Sequence, residues 1–190
     1  MKHNREFEIA WQGLKPGPQT YIYDIDDRFM QERGVDDSLT NWQAQVKMTF
    51  DKHESFFMLH FDIGGKLTVP CDRCGDDFDL ELWDEFNLVI KLTSEEAGTI
   101  EDEDDVVFIP RSETVIDIST WVYEFLLLSV PLQHIHPDHA DGSSGCNAQA
   151  LDLLDQLSEI EEPKANPLWK GLESIKIEKS SSSKTKKEKK

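Results

Sequence analysis

Cysteine is scarce in this chain: there are three in 190 residues. So few, and odd in number, they do not make a disulfide framework and fit a reduced, cytoplasmic setting. No apolar run approaches the roughly 18 residues of a membrane-spanning helix. The opening Met1-Lys2-His3-Asn4-Arg5-Glu6 is polar throughout, unlike the start of a secretory signal. Positive charge is also short, with 20 Lys and Arg against 38 Asp and Glu, for a net charge of −18. Much of it lies at one end, since the seven Lys and two Glu from Lys176 onward contribute +5 and leave −23 on the rest. An acidic body repels phosphate backbones, which argues against it as a general nucleic-acid binder. The catalytic signatures G-x-S-x-G and H-E-x-x-H and any Gly-rich phosphate loop are missing, so no nucleophile–base pair is identifiable.

What is present is a globular composition, 38% apolar and 9% aromatic, long enough for one domain with a core. Glu6 to Trp11 alternates polar and apolar and reads as a half-buried strand. Turn formers from Gly13 to Pro18 break it, and Thr20 to Ile25 reads as a second strand. Asp26 or Asp27 can cap a short helix through Phe29, Met30 and Glu32, ended by Gly34. Gln43 to Phe50 alternates cleanly, Asp51 to Glu54 turns, and Phe56 to Phe61 continues. Gly64-Gly65 reads as a strand break before Lys66 to Val69, and Phe78 to Ile90 alternates for most of its length. Consecutive alternating runs with short turns predict an antiparallel β-meander, as a sheet or partly closed barrel.

Residues 94–105 hold seven acids and no base, which reads as a solvated loop because like charges in series repel. Val106 to Pro110 resumes a short buried strand. Ile116 to Val130 is the strongest helix signal, capped by Asp117 or Ser119 and stopped by Pro131. Its apolar residues leave few polar positions, predicting a helix buried on most sides and covering the sheet. Ala148 to Ile160 reads as an amphipathic helix, and Asn166-Pro167 opens a short one reaching Ile175. The expected fold is therefore α+β, a meander packed by C-terminal helices. Residues 1–177 form a single domain, and 178–190 a disordered basic tail.

Val69-Pro70-Cys71-Asp72-Arg73-Cys74-Gly75 places two of the three cysteines at a turn between strands. A thioredoxin-type pair would sit at a helix N-terminus in a βαβ context, which lowers the thiol pKa. Here Asp72, Asp76 and Asp77 surround the pair, and the expected effect is to raise it. As half of a zinc site the pair needs two more ligands for a tetrahedron. Cys146, with His134, His136 or His139, can supply them from a loop following the strong helix. Two free thiols beside surface histidines is the remaining reading. Four protein ligands from separated places would make a closed, structural site.

The turn Val69 to Cys74 resembles the C-x-R-C turn of the YceD-like bacterial family, described as large ribosomal RNA subunit accumulation proteins. Ile116-Asp-Ile-Ser through Leu126-Leu-Leu-Ser-Val-Pro131 resembles that family's helix ending in Leu-Ser-Leu-Pro. Asn166-Pro-Leu-Trp-Lys-Gly-Leu172 resembles its closing segment. Many members carry two further cysteine pairs after that proline. His136-Pro137 followed by Cys146 departs from them and resembles members from the Bacteroidetes group. The resemblance implies that the first cysteine pair of the family falls on Cys71 and Cys74, and the later ligand positions on His136 and Cys146. It implies a non-enzymatic role in ribosome biogenesis, and the residues themselves offer a structural zinc site. The acidic body then favours a basic protein partner or the assembly machinery over direct contact with large-subunit rRNA; no membrane or small-molecule substrate is expected. The competing function is a thiol-disulfide or metal-dependent enzyme using Cys71 and Cys74.

Overall fold

The computed structural model describes residues 5–94 and 106–160, and side chains to residue 157. The expected helix from Asn166, the basic tail and nearly all of the acidic stretch lie outside these residues. The chain divides into two compact units at Asn147/Ala148, taken separately below.

The first unit is built on a five-stranded sheet of order β2-β3-β4-β5-β6. Its strands are β2 (Gly17–Asp26), β3 (Thr40–Lys52), β4 (Phe56–Pro70), β5 (Asp77–Thr93) and β6 (Val106–Pro110). The first four form an antiparallel meander, in line with the alternating pattern. β6 departs from that expectation and pairs parallel to β5, from Val89↔Val106 to Thr93↔Pro110. A parallel return needs a crossover of about a dozen residues, which the chain between β5 and β6 supplies. The sheet is open, not a closed barrel.

Two further expectations are corrected. Gly64-Gly65 does not break a strand, because β4 runs through it to Pro70. A Cβ on Gly65 would overlap the Gln43 carbonyl oxygen and the Ala44 Cα, so glycine lets β3 and β4 approach where their register shifts. The run at Glu6 to Trp11 keeps only β1 (Glu8–Ile9), flanked by 3-10 turns, and it pairs with β7 (Ile116–Asp117) in a separate two-stranded sheet.

One face of the large sheet carries the core: Val46, Met48 and Phe50 of β3, Phe57, Leu59 and Phe61 of β4, and Leu88 and Ile90 of β5 are buried. Each such side chain contributes about 1.5–3 kcal/mol on leaving water. Phe7 stacks on Tyr23 and meets Phe29 at a tilt, both at 4.9 Å between ring centres. Phe29 belongs to α1 (Asp27–Gln31), which Asp26 caps by accepting the Phe29 N–H at 3.1 Å. α2 (Ser119–Leu128) lies on the same face. Its Phe125 stacks on Phe86 at 4.5 Å and meets Phe61 edge-on at 5.0 Å. The helix is shorter than its apolar run, since β7 takes Ile116 and Asp117, and the Asp117 carboxylate accepts the Ser119 N–H at 2.9 Å. Nor is it buried on most sides: Val122 and Leu126 face the core while Leu128 is 65% exposed.

The second unit opens with α3 (Ala148–Ile160), whose Leu153, Leu154 and Leu157 are exposed.

A Cys–Cys–His–Cys cluster as candidate metal centre

The β4–β5 hairpin closes at the pair Pro70↔Asp77, and the residues between them form a tight turn. The Cys71 N–H donates to the Asp76 carbonyl at 3.0 Å, and the Gly75 N–H to the Cys71 carbonyl at 2.9 Å. Gly75 takes φ +79°, a left-handed conformation that costs glycine little. The turn points the N–H groups of Arg73 and Cys74 at the Cys71 sulfur, and His136 adds its own backbone N–H from the facing loop.

That loop runs from Ser129, where α2 ends, back to the turn. Asp72 clamps it twice: its N–H donates to the His134 carbonyl at 2.7 Å, and its carboxylate accepts the His134 N–H at 2.6 Å. Asn147 Nδ2 donates to the Asp76 carboxylate at 3.0 Å. Ser144 Oγ accepts the Cys146 N–H at 3.2 Å and an Arg73 guanidinium N–H at 3.4 Å. Gly145 is pressed against His136-Pro137, so that a Cβ there would overlap the Pro137 carbonyl oxygen. The His136 ring packs on Phe78 at 4.5 Å between centres.

These contacts gather the ligand atoms of Cys71, Cys74, His136 and Cys146 within 4.8 Å of one another. Cys71 and Cys146 are buried. His134 meets the turn through its backbone only, and neither it nor His139 joins the group among the described residues. The fit to a metal can be tested on two edges of this tetrahedron. Zinc at about 2.3 Å from sulfur and 2.0–2.1 Å from imidazole nitrogen sets S···S at about 3.8 Å and S···N at about 3.5 Å. Cys71 Sγ lies 3.7 Å from Cys146 Sγ, and Cys74 Sγ lies 3.5 Å from His136 Nδ1. The donor set and both edges fit tetrahedral zinc.

The thiol electrostatics correct the sequence expectation. Burial pushes the Cys71 thiol up, but the backbone N–H groups of His136, Cys74 and Arg73 outweigh it and bring the thiol down to about 5. Asp72 and Asp76 accept the His134 N–H and the Asn147 amide, and the N–H groups of the turn decide the direction. Burial raises the Cys146 thiol, and its closeness to Cys71 adds to the rise. One sulfur is thus prepared as a thiolate and the next resists a second negative charge, an imbalance that a cation removes.

Ser144 and Gly145 support this cluster and escaped the sequence reading, while Asp72, expected only to raise the thiols, instead clamps His134. A serine two residues before Cys146 is the local signal for the first, since Ser side chains accept N–H groups two residues on.

The fold and site define a class: an open α+β sheet whose hairpin turn is tied to a post-helix loop by a three-cysteine, one-histidine cluster. The family model for "Large ribosomal RNA subunit accumulation protein YceD" matches residues 59–176, most of the chain. The chain belongs to that family, whose description ties it to the accumulation of large-subunit ribosomal RNA. No curated protein and no solved structure matches it. No helix among the described residues is long and apolar enough to cross a membrane.

Proposed function

We propose that the protein is a non-enzymatic assembly factor supporting accumulation of large-subunit ribosomal RNA, and that Cys71, Cys74, His136 and Cys146 hold a structural zinc. Family membership supports the role in rRNA accumulation. The observation that carries the metal is the pair of tetrahedral edges, 3.7 Å between Cys71 and Cys146 and 3.5 Å between Cys74 and His136. When bound, the zinc supplies a cross-link between the hairpin turn and the loop after α2. Four side chains fill its coordination, whereas a catalytic zinc keeps a position open for water or substrate.

A thiol-disulfide enzyme is the second reading, and the lowered Cys71 thiol favours it. Burial counts against it, since Cys71, the lowered thiol, is 3% exposed, and only Cys74 of the pair is half-buried.

The test is metal analysis of freshly purified, reduced wild type beside Cys74→Ser and Cys146→Ser, with rRNA ratios from cells. One equivalent of zinc in wild type, lost in both variants with a lower melting temperature, is expected. Cells lacking the protein should show a reduced ratio of large- to small-subunit rRNA that the wild-type chain restores. Metal-free wild type would end the zinc reading; an unchanged ratio would end the assembly role.

A further inference from the structure

The outer face of the sheet exposes three large apolar residues, Ile22, Met58 and Trp83, of which Trp83 is the largest and the most exposed. In β5 the outward positions Asp79, Glu81, Glu85 and Asn87 are polar, but the outward Trp83 is 81% exposed. Its partner across the β4–β5 pair is Gly64, where a Cβ would meet nothing within 4 Å. The indole thus stands beside a side-chain-free step. Glu81 and Glu85 flank it two residues away on either side, about 7 Å each along the strand. The nearest lysines are engaged elsewhere: Lys47 pairs with Asp62 at 3.3 Å, and Lys66, opposite Glu81, pairs with Asp79 at 3.1 Å. Among the described residues Glu81 has no ion-pair partner, and Glu85 has none within 4.0 Å, its nearest cationic neighbour being the His60 ring within 4.8 Å.

We propose that this face, centred on Trp83 and Gly64, docks a basic protein segment, one arginine of which lies on the indole between Glu81 and Glu85. A guanidinium is attracted to an indole face and, stacked there, offers its N–H groups to carboxylates at its edge. Tryptophan flanked by charge is also the residue type on which binding energy concentrates at protein interfaces. Charge complementarity selects the occupant. Phosphates would meet Glu81 and Glu85, so a nucleic acid is repelled, and an apolar partner would strand the carboxylates. The inference rests on the assembly-factor reading for its biological setting, but its test does not.

The test titrates the full chain with an alternating arginine–glycine peptide, following tryptophan fluorescence, and in parallel with a uridine homopolymer. Wild type should bind the peptide and not the RNA. Trp83→Ala should weaken peptide binding about tenfold, and Glu85→Gln about threefold. Asp37→Asn removes one charge from the exposed loop before β3 and should leave binding unchanged. Gly64→Phe fills the step beside the indole; it should melt as wild type does and lose about as much binding as Trp83→Ala. Failure of wild type to bind the peptide overturns the proposal, as does equal loss in Asp37→Asn and Glu85→Gln, or RNA binding that depends on Trp83. Trp83-dependent peptide binding alongside an unchanged rRNA ratio would instead overturn the assembly role and leave the docking surface standing.

Discussion

Gly145→Ala should unseat the metal cluster although alanine carries no ligand and no charge. The added Cβ overlaps a backbone carbonyl oxygen, that of Pro137, and comes within 3.2 Å of His136 Cβ. Backbone cannot rotate away as the tip of a side chain can, so residues 136–137 and 144–146 must separate. Overpacking of this kind costs about 1–3 kcal/mol. The separation also draws His136 from Cys74, so zinc affinity falls with stability. In a unit of this size each kcal/mol lowers the melting temperature by about 2–4 °C, so a drop of several degrees is expected. Gly64→Ala is the matched control, because a Cβ there meets nothing within 4 Å. Relieved of glycine's unfolded-state entropy, it should melt at or slightly above wild type. Melting curves and zinc per chain decide it. A Gly145→Ala protein with wild-type melting and full zinc would refute the close-approach argument.

Three other perturbations and metal removal test separate parts. His60 Nδ1 faces the Asn87 amide oxygen at 2.8 Å and Nε2 faces Asp62 at 2.9 Å, two acceptors that only the imidazolium satisfies together. The Asn87 bond, with Asp62, therefore raises the His60 pKa above 6.5. Stability from this group is complete below pH 6.5 and is lost as pH rises through the raised value, so His60→Gln should flatten melting temperature against pH just above 6.5; parallel curves would sink the idea. Phe125→Ala removes the ring between Phe61 and Phe86 and should cost about 3–4 kcal/mol in denaturant unfolding. Asp72→Ala breaks the clamp on His134 and should cost about 1–2 kcal/mol, with faster amide exchange at His134. Stripping the metal with a chelator should speed exchange from Leu132 to Asn147 and leave β3 and β4 protected, because the aromatic core does not pass through the cluster; global unfolding would contradict this.

Strand existence was legible in the sequence because a period of two survives in β3 and β5 without help from the rest of the chain. Strand direction was not: Val106 to Pro110 reads the same whether it pairs parallel or antiparallel. Gly64-Gly65 misled because a glycine pair signals a break locally, while here a neighbouring backbone demands the missing Cβ of Gly65. Helix α2 was overextended because apolar content does not distinguish a first helical turn from the two residues of β7. At the site, residue type pointed to three cysteines and a histidine loop. Spacing alone could not choose among His134, His136 and His139, since that choice is made by Asp72, which holds the His134 backbone at the turn and leaves the His136 ring over the sulfurs. The Cys71 shift runs opposite to the sequence expectation because the N–H groups of a turn are invisible to composition.

On the proposed zinc reading, the cluster's position accounts for three cysteines kept at one site. Cys71 and Cys146 are 75 residues apart, and Cys74 and His136 are 62. In the chain-entropy account, a cross-link closing a loop of that length stabilises by about 4 kcal/mol, more than a short loop would gain. The linked segments are also those with least apolar anchorage, since Leu132 is fully exposed and the loop from it to Asn147 buries only Cys146. On the same reading, the turn N–H groups that lower the Cys71 thiol hold the charge that the metal would take up. On the two proposals together, a metal at this end of the hairpin would leave the outer face around Trp83 open, with stability and recognition carried by different stretches of the same two strands.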